Sequence, residues 1–119
     1  GTTSDGRTLT RSPDTPAVQI LSEGIAAQLQ SFLIHCVMVE EGQNALPKNG
    51  TAGGKTATAQ TGRFRKDGTE REHGWFAGFF PAVNPRYVIT VLAEDAGFGN
   101  KTAAPVFAAI TEQLLELGY

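Results

Sequence analysis

The 119-residue chain predicts an α+β fold: a helix, a three-stranded antiparallel sheet and a second helix. Three observations predict it. Apolar residues recur at helical spacing from Ile25 to Val37; later segments alternate with the period of a strand; and Pro105 introduces a second apolar run at helical spacing.

Residues 1–19 are rich in Thr, Ser, Asp, Gly and Pro, with Leu9 the one large apolar residue before Pro16, so they are expected to form an extended lead-in whose Arg7 and Arg11 are solvated. Ser22 offers an N-cap. Ile25, Leu29, Phe32, Leu33, Cys36, Val37 and Glu40 then follow at helical spacing until Gly42 ends the run, an amphipathic helix of about five turns. Gln43 to Gly50 is a polar connection carrying Pro47.

The stretch from Thr51 to Gly62 comes next. From Thr56 to Thr61, hydroxyl and amide side chains alternate with alanines, as on a strand, and Gly53 and Gly54 allow close approach to the backbone. Arg63 to His73 is dense in charge and centred on Asp67-Gly68, which favours a tight turn between strands. A nucleic-acid patch would be the sharper interpretation, but Asp67, Glu70 and Glu72 offset the basic residues, and a solvated hairpin tip fits better.

His73 to Phe80 and Tyr87 to Glu94 read as two more strands, joined by a turn holding Pro81, Asn84 and Pro85. Trp75, Ala77 and Phe79 alternate with Phe76, Gly78 and Phe80, so both faces of the sheet are expected to be covered, and Trp75 to be a core residue. Pro105 near a helix start leads into Val106, Phe107, Ile110, Leu114, Leu115 and Leu117, and Gly118 ends the helix.

The length suits one domain, and the net charge of −2, with both signs mixed, gives no argument for nucleic acid or an anionic membrane as partner. No apolar run approaches the length of a membrane span, and no signal peptide opens the sequence. Cys36 is the single cysteine, expected to be a small core residue. His35 beside it invites a metal site, but adjacent helical residues point about 100° apart and cannot converge on one ion. No metal or cofactor is expected.

Gly54-Lys55-Thr56-Ala57-Thr58-Ala59-Gln60 resembles the lysine-threonine strand signature of the penicillin-binding proteins, the serine transpeptidases that cross-link peptidoglycan. Gly74-Trp75-Phe76-Ala77-Gly78-Phe79-Phe80-Pro81, Asn84-Pro85-Arg86-Tyr87, Gly97-Phe98-Gly99 and Ala104-Pro105-Val106-Phe107 resemble, in the same order, the last two strands and last helix of that domain. From about Ile20 onward, residues 20–119, the chain therefore resembles the carboxy-terminal portion of a penicillin-binding or serine β-lactamase-like transpeptidase fold.

The resemblance implies a site. A serine attacks a D-alanyl-D-alanine stem, a lysine takes its proton, and two backbone amides hold the oxyanion. Lys55 would lend positive charge near that serine, Thr56 would hydrogen-bond the carboxylate of the stem peptide or a β-lactam, and the amide of Thr58 would be one oxyanion donor. An edge strand also suits an incoming extended peptide. Ala57, counted with Thr56 and Thr58 in the implied substrate-binding strand, stands where the usual motif has glycine, and its methyl would point across the sheet from Thr56 and Thr58 and crowd whatever packs beneath.

The family's other signatures, a serine with lysine three residues on and a serine with asparagine two residues on, do not occur. Ser4, Ser12, Ser22 and Ser31 are followed at the first spacing by Arg7, Thr15, Ile25 and Ile34, and at the second by Gly6, Asp14, Gly24 and Leu33. The expectation is a fragment without a nucleophile, inactive alone, whose parent is anchored at the extracytoplasmic face of the bacterial membrane by a segment outside this sequence. Its implied partners are stem peptide, β-lactams and the missing amino-terminal half of the domain. The last strand, normally paired with the first strand of that half, would be bare and open to self-association.

Two rivals come from other function classes. A non-catalytic binding or structural domain would keep the architecture without the serine. A phosphate-binding loop ending in Gly54-Lys55-Thr56 would need glycine where Asn49 stands and a helix beginning at the lysine, and neither condition is met.

Overall fold

A computed structural model describes residue 16 and residues 18–119. The expected lead-in, with Leu9, Arg7 and Arg11, lies almost wholly outside the described residues. The order is α1 (Glu23–Val39), a 3₁₀ turn (Glu41–Ala45), β1 (Gly53–Phe64), β2 (Glu70–Phe80), β3 (Tyr87–Ala93) and α2 (Gly99–Glu116). Among the described residues the three strands form one antiparallel sheet in sequence order, with β1 and β3 at its edges.

Helix α1 starts as its sequence predicts, with the Ser22 hydroxyl accepting the Ile25 N–H at 3.4 Å. Its apolar stripe is less buried than its amphipathic spacing suggests. Val37 is its one fully buried residue, whereas Phe32 is 67% exposed and Ile25 and Leu29 are exposed as well. Its half-buried positions begin at Gln30, whose side-chain amide donates to the Ala82 carbonyl at 2.9 Å, and the helix contacts β1 and the 3₁₀ turn. Cys36 is accordingly half-buried beside the core and outside it, and His35 is exposed, 3.5 Å from Glu40.

The Asp67-Gly68 turn forms where expected. Gly68 takes a φ of +83°, its N–H donates to the Arg65 carbonyl at 3.0 Å, and the Arg65 N–H donates to the Thr69 carbonyl at 2.8 Å. Both strands of this hairpin run past the body of the sheet, so β2 begins at Glu70, before the expected His73. Arg71 is exposed, and an outlying hairpin solvated on both faces has no hydrophobic alternation to announce it.

The two faces of β2 are unequal. Phe76, Gly78 and Phe80 are buried against α2, and Phe76 stacks on Phe107 with ring centroids 4.6 Å apart. Trp75 and Phe79, on the other face, are half-buried and Ala77 is exposed. Trp75 is thus a flanking residue and does not belong to the core, because α2 covers one face alone. The core comprises Val37, Ala45, Ala52, Phe76, Phe80, Ala103, Ala104 and Phe107.

Helix α2 begins at Gly99, earlier than Pro105 suggests. Six residues precede the proline inside the helix, which leaves the Lys101 carbonyl without its usual N–H partner. The far end matches expectation. Gly118 has φ +81°, its N–H donates to the Leu115 carbonyl at 3.1 Å, and the Tyr119 N–H donates to the Leu114 carbonyl at 2.9 Å. This paired arrangement is the Schellman ending that a terminal glycine permits.

Candidate functional site

Strand β1 places the four expected site residues, and strand alternation decides where each one points. Its first two glycines are buried. A Cβ on Gly54 would stand 2.7 Å from the Ala77 carbonyl oxygen and 2.5 Å from the Phe76 ring, so the bare backbone is what lets β1 lie this close to β2 and the core. Beyond them Lys55, Ala57 and Thr58 are exposed and Thr56 is half-buried.

Thr56 pairs with Phe76 and Thr58 with Gly74 in the β1–β2 register. That puts both hydroxyls on the face covered by α2. There they line a groove of 440 Å³ together with Glu41, Phe98, Gly99, Asn100 and Lys101. The Gly99 N–H donates to Thr58 Oγ1 at 3.5 Å, and the Lys101 ammonium stands 5.9 Å from the centre of the Phe98 ring.

Lys55 and Ala57 alternate onto the opposite face and do not line the groove. Lys55 reaches back to it by length, its ammonium donating to Thr56 Oγ1 at 3.4 Å. Ala57 meets open space on its side of the sheet, so its methyl does not crowd an underlying layer among the described residues. The structure thus joins Thr56, Thr58 and the ammonium of Lys55 into one polar edge and leaves Ala57 outside it.

Two hydroxyls and an ammonium at an unpaired strand edge can hold a carboxylate. Among the described residues, no serine or cysteine lines the groove. Glu41, Phe98, Asn100 and Lys101 are the groove residues that sequence reasoning passed over. Glu41 carries no signal beyond ending a helix, whereas the Gly97-Phe98-Gly99 block marked the segment but gave no hint that it faces Thr58. A larger concavity, 540 Å³, lies on the outer face of α2 between Val106, Ile110, Leu114 and Leu117, and its apolar lining offers no group for acyl-transfer chemistry.

A family model described as the penicillin binding protein transpeptidase domain matches residues 2–112. The chain is 35% identical over 108 residues to stage V sporulation protein D of Bacillus subtilis, covering 84% of this chain and 16% of that protein. It is 34% identical over 71 residues to the peptidoglycan D,D-transpeptidase MrdA of Haemophilus influenzae, covering 52% of this chain and 11% of the relative. Among solved structures, the transpeptidase domain of the FtsI4 D,D-transpeptidase from Legionella pneumophila superposes with a TM-score of 0.71 at 28% identity, over 81% of this chain and 37% of that one. The chain therefore spans a minor part of these relatives, and it belongs to the penicillin-binding protein transpeptidase domain family.

Proposed function

We propose that this member of the transpeptidase family supplies the substrate-binding strand of a serine-type D,D-transpeptidase, and that the nucleophile comes from a part of the domain outside this sequence. The observation that carries the proposal is the placement of Lys55, Thr56 and Thr58 on an edge strand, with both hydroxyls on the wall of one groove. The substrate is a peptidoglycan stem peptide ending in D-alanyl-D-alanine. β-Lactams bind the same site as its mimics.

In that reaction the serine attacks the penultimate D-alanyl carbonyl, the terminal D-alanine leaves, and an amine of a second stem peptide accepts the acyl group. Lys55 keeps positive charge beside the reacting centre. Thr56 hydrogen-bonds the substrate carboxylate, and the amide of Thr58 donates to the oxyanion, where a preorganised donor contributes about 3 kcal/mol. Ala57 sits between them without a side-chain role. A substrate of this kind lies outside the cytoplasm, so the parent protein acts at the extracytoplasmic face of the membrane.

Two measurements test the proposal. Intact mass after incubation with penicillin is expected to show no adduct on the isolated chain; a stoichiometric adduct would overturn the assignment of the nucleophile to another segment. Titration with acetyl-D-Ala-D-Ala, followed by ¹⁵N NMR, is expected to move the amides of Lys55 to Thr58 and to lose that response in Lys55→Ala. A response confined to other parts of the surface would favour a non-catalytic binding domain.

A further inference from the structure

A second polar cluster lies beyond the groove. Thr61 and Arg63 of β1, His73 of β2, and Glu94 and Asp95 after β3 enclose a cleft of 320 Å³. His73 Nδ1 accepts the backbone N–H of Asp95 at 3.0 Å. A ring nitrogen that accepts a hydrogen bond carries no proton, so this imidazole is held with its proton on Nε2.

Asp95 needs holding. Its φ of +53° lies in the left-handed region, which aspartate tolerates better than most residues but does not prefer. Three more bonds fix the same turn. Arg65 Nη2 donates to the Asp95 carbonyl at 3.1 Å, Arg71 Nη1 donates to Asp95 Oδ2 at 2.8 Å, and the Gly97 N–H donates to the Glu72 carbonyl at 3.1 Å. The partners in these four bonds all belong to the β1–β2 hairpin.

The turn leads directly into the groove wall. Gly99 lies so close to the β1–β2 pair that a Cβ on it would overlap the carbonyl oxygens of Trp75 and Ala57. A Cβ on Gly74 would in turn stand 2.7 Å from the Gly97 carbonyl. With the turn seated, Phe98, Gly99, Asn100 and Lys101 line the groove with Thr56 and Thr58.

We propose that His73 is a positioning residue: by accepting the Asp95 N–H it latches the Glu94–Phe98 turn onto the hairpin and thereby fixes the Phe98–Lys101 wall of the groove. Only the description of that groove as a substrate site rests on the function proposed above. Arg71 and Arg65 grip the carboxylate and the carbonyl of Asp95, but neither can accept its N–H. An acceptor at position 73 is therefore the one side-chain element of the latch that the arginines cannot replace.

The experiment uses the whole ¹⁵N-labelled chain. In the wild type, His73 is expected as the Nε2–H tautomer. His73→Leu is expected to speed amide exchange at Asp95 and Gly97 by at least about tenfold and to shift the amides of Thr58, Phe98, Asn100 and Lys101. His73→Asn, whose Oδ1 occupies the place of Nδ1, should restore both. A proton on Nδ1 in the wild type would overturn the proposal, as would His73→Asn loosening the turn as much as His73→Leu, since packing and not acceptance would then hold it. Should His73→Leu fail to fold, the wild-type tautomer and the His73→Asn spectrum decide. Silence of wild type toward acetyl-D-Ala-D-Ala would count against the substrate assignment and leave the latch standing.

Discussion

At the scale of single residues, two positions show how contacts too small for a sequence pattern set the site. Gly99 is unremarkable in a list of glycines, yet its Cα rests against the backbone of Trp75 and Ala57, where no side chain can yield. Gly99→Ala is expected to destabilise the chain by about 1–3 kcal/mol, because the overlap forces backbone to move, and urea unfolding would measure the loss. The Thr58 and Asn100 amides should shift with it. Asp67 acts locally at the hairpin tip. Its carboxyl is held below the usual carboxylate range chiefly by the Thr69 hydroxyl, then by the Thr69 N–H, with Arg65 adding a smaller pull. A depressed folded value means that the contribution is complete above the unfolded carboxylate value and is lost as pH falls through the folded one. Protection of the Thr69 amide should therefore be lost only as pH falls below the usual carboxylate range, and Asp67→Asn should remove that acid step. Titration of Asp67 at the value of a solvated aspartate would refute this. The lysine-threonine motif was legible because its residue types are rare together, while its geometry was not: that Thr56 and Thr58 line a groove and Lys55 reaches it from the opposite face follows from pairing with β2, which no local pattern encodes.

At the scale of elements, patterns were legible where burial imposes a period and illegible where it does not. Strands β2 and β3 alternate because one face meets α2, and both were located within a few residues of their bounds. The solvated reach of the hairpin and the first turns of α2 lack that periodicity, and these are the boundaries that sequence reasoning misplaced. Thr102 to Ala104 contributes small residues, of which Ala103 and Ala104 are buried, so α2 approaches the sheet through alanines where a search for large apolar residues finds little. The main anchor of that contact is Phe107 against Phe76. Phe107→Ala is expected to cost about 3–5 kcal/mol, which approaches the whole stability of a small domain. Thermal unfolding of the variant should lose its cooperative transition while the isolated hairpin signals persist. A variant melting within a few degrees of the wild type would show that α2 is held elsewhere.

At the scale of the whole molecule, the uneven cover of the sheet decides how the chain behaves alone. α2 spans the face of Phe76 and Phe80, whereas α1 contacts β1 and leaves the far side of β3 open. Val88 is 82% exposed and Leu92 42% exposed on that side, and among the described residues β3 is an edge strand with unpaired backbone groups. The outer face of α2 adds exposed Val106, Ile110 and Leu117. Isolated apolar residues on a surface are ordinary, but here they adjoin a bare strand edge, the combination that invites pairing with another chain. The chain is therefore expected to self-associate reversibly, with apparent mass by light scattering rising with concentration from the micromolar to the millimolar range. Val88→Lys with Leu92→Lys should suppress the rise, because a lysine facing an incoming strand must be desolvated when the strand pairs. These positions are exposed, so the double variant should keep the wild-type melting behaviour at low concentration. If it remains as associated as the wild type, the contact runs through α2, and Ile110→Glu should suppress it instead. A chain that stays monomeric at millimolar concentration would mean that neither the edge nor the helix face is sticky enough to matter.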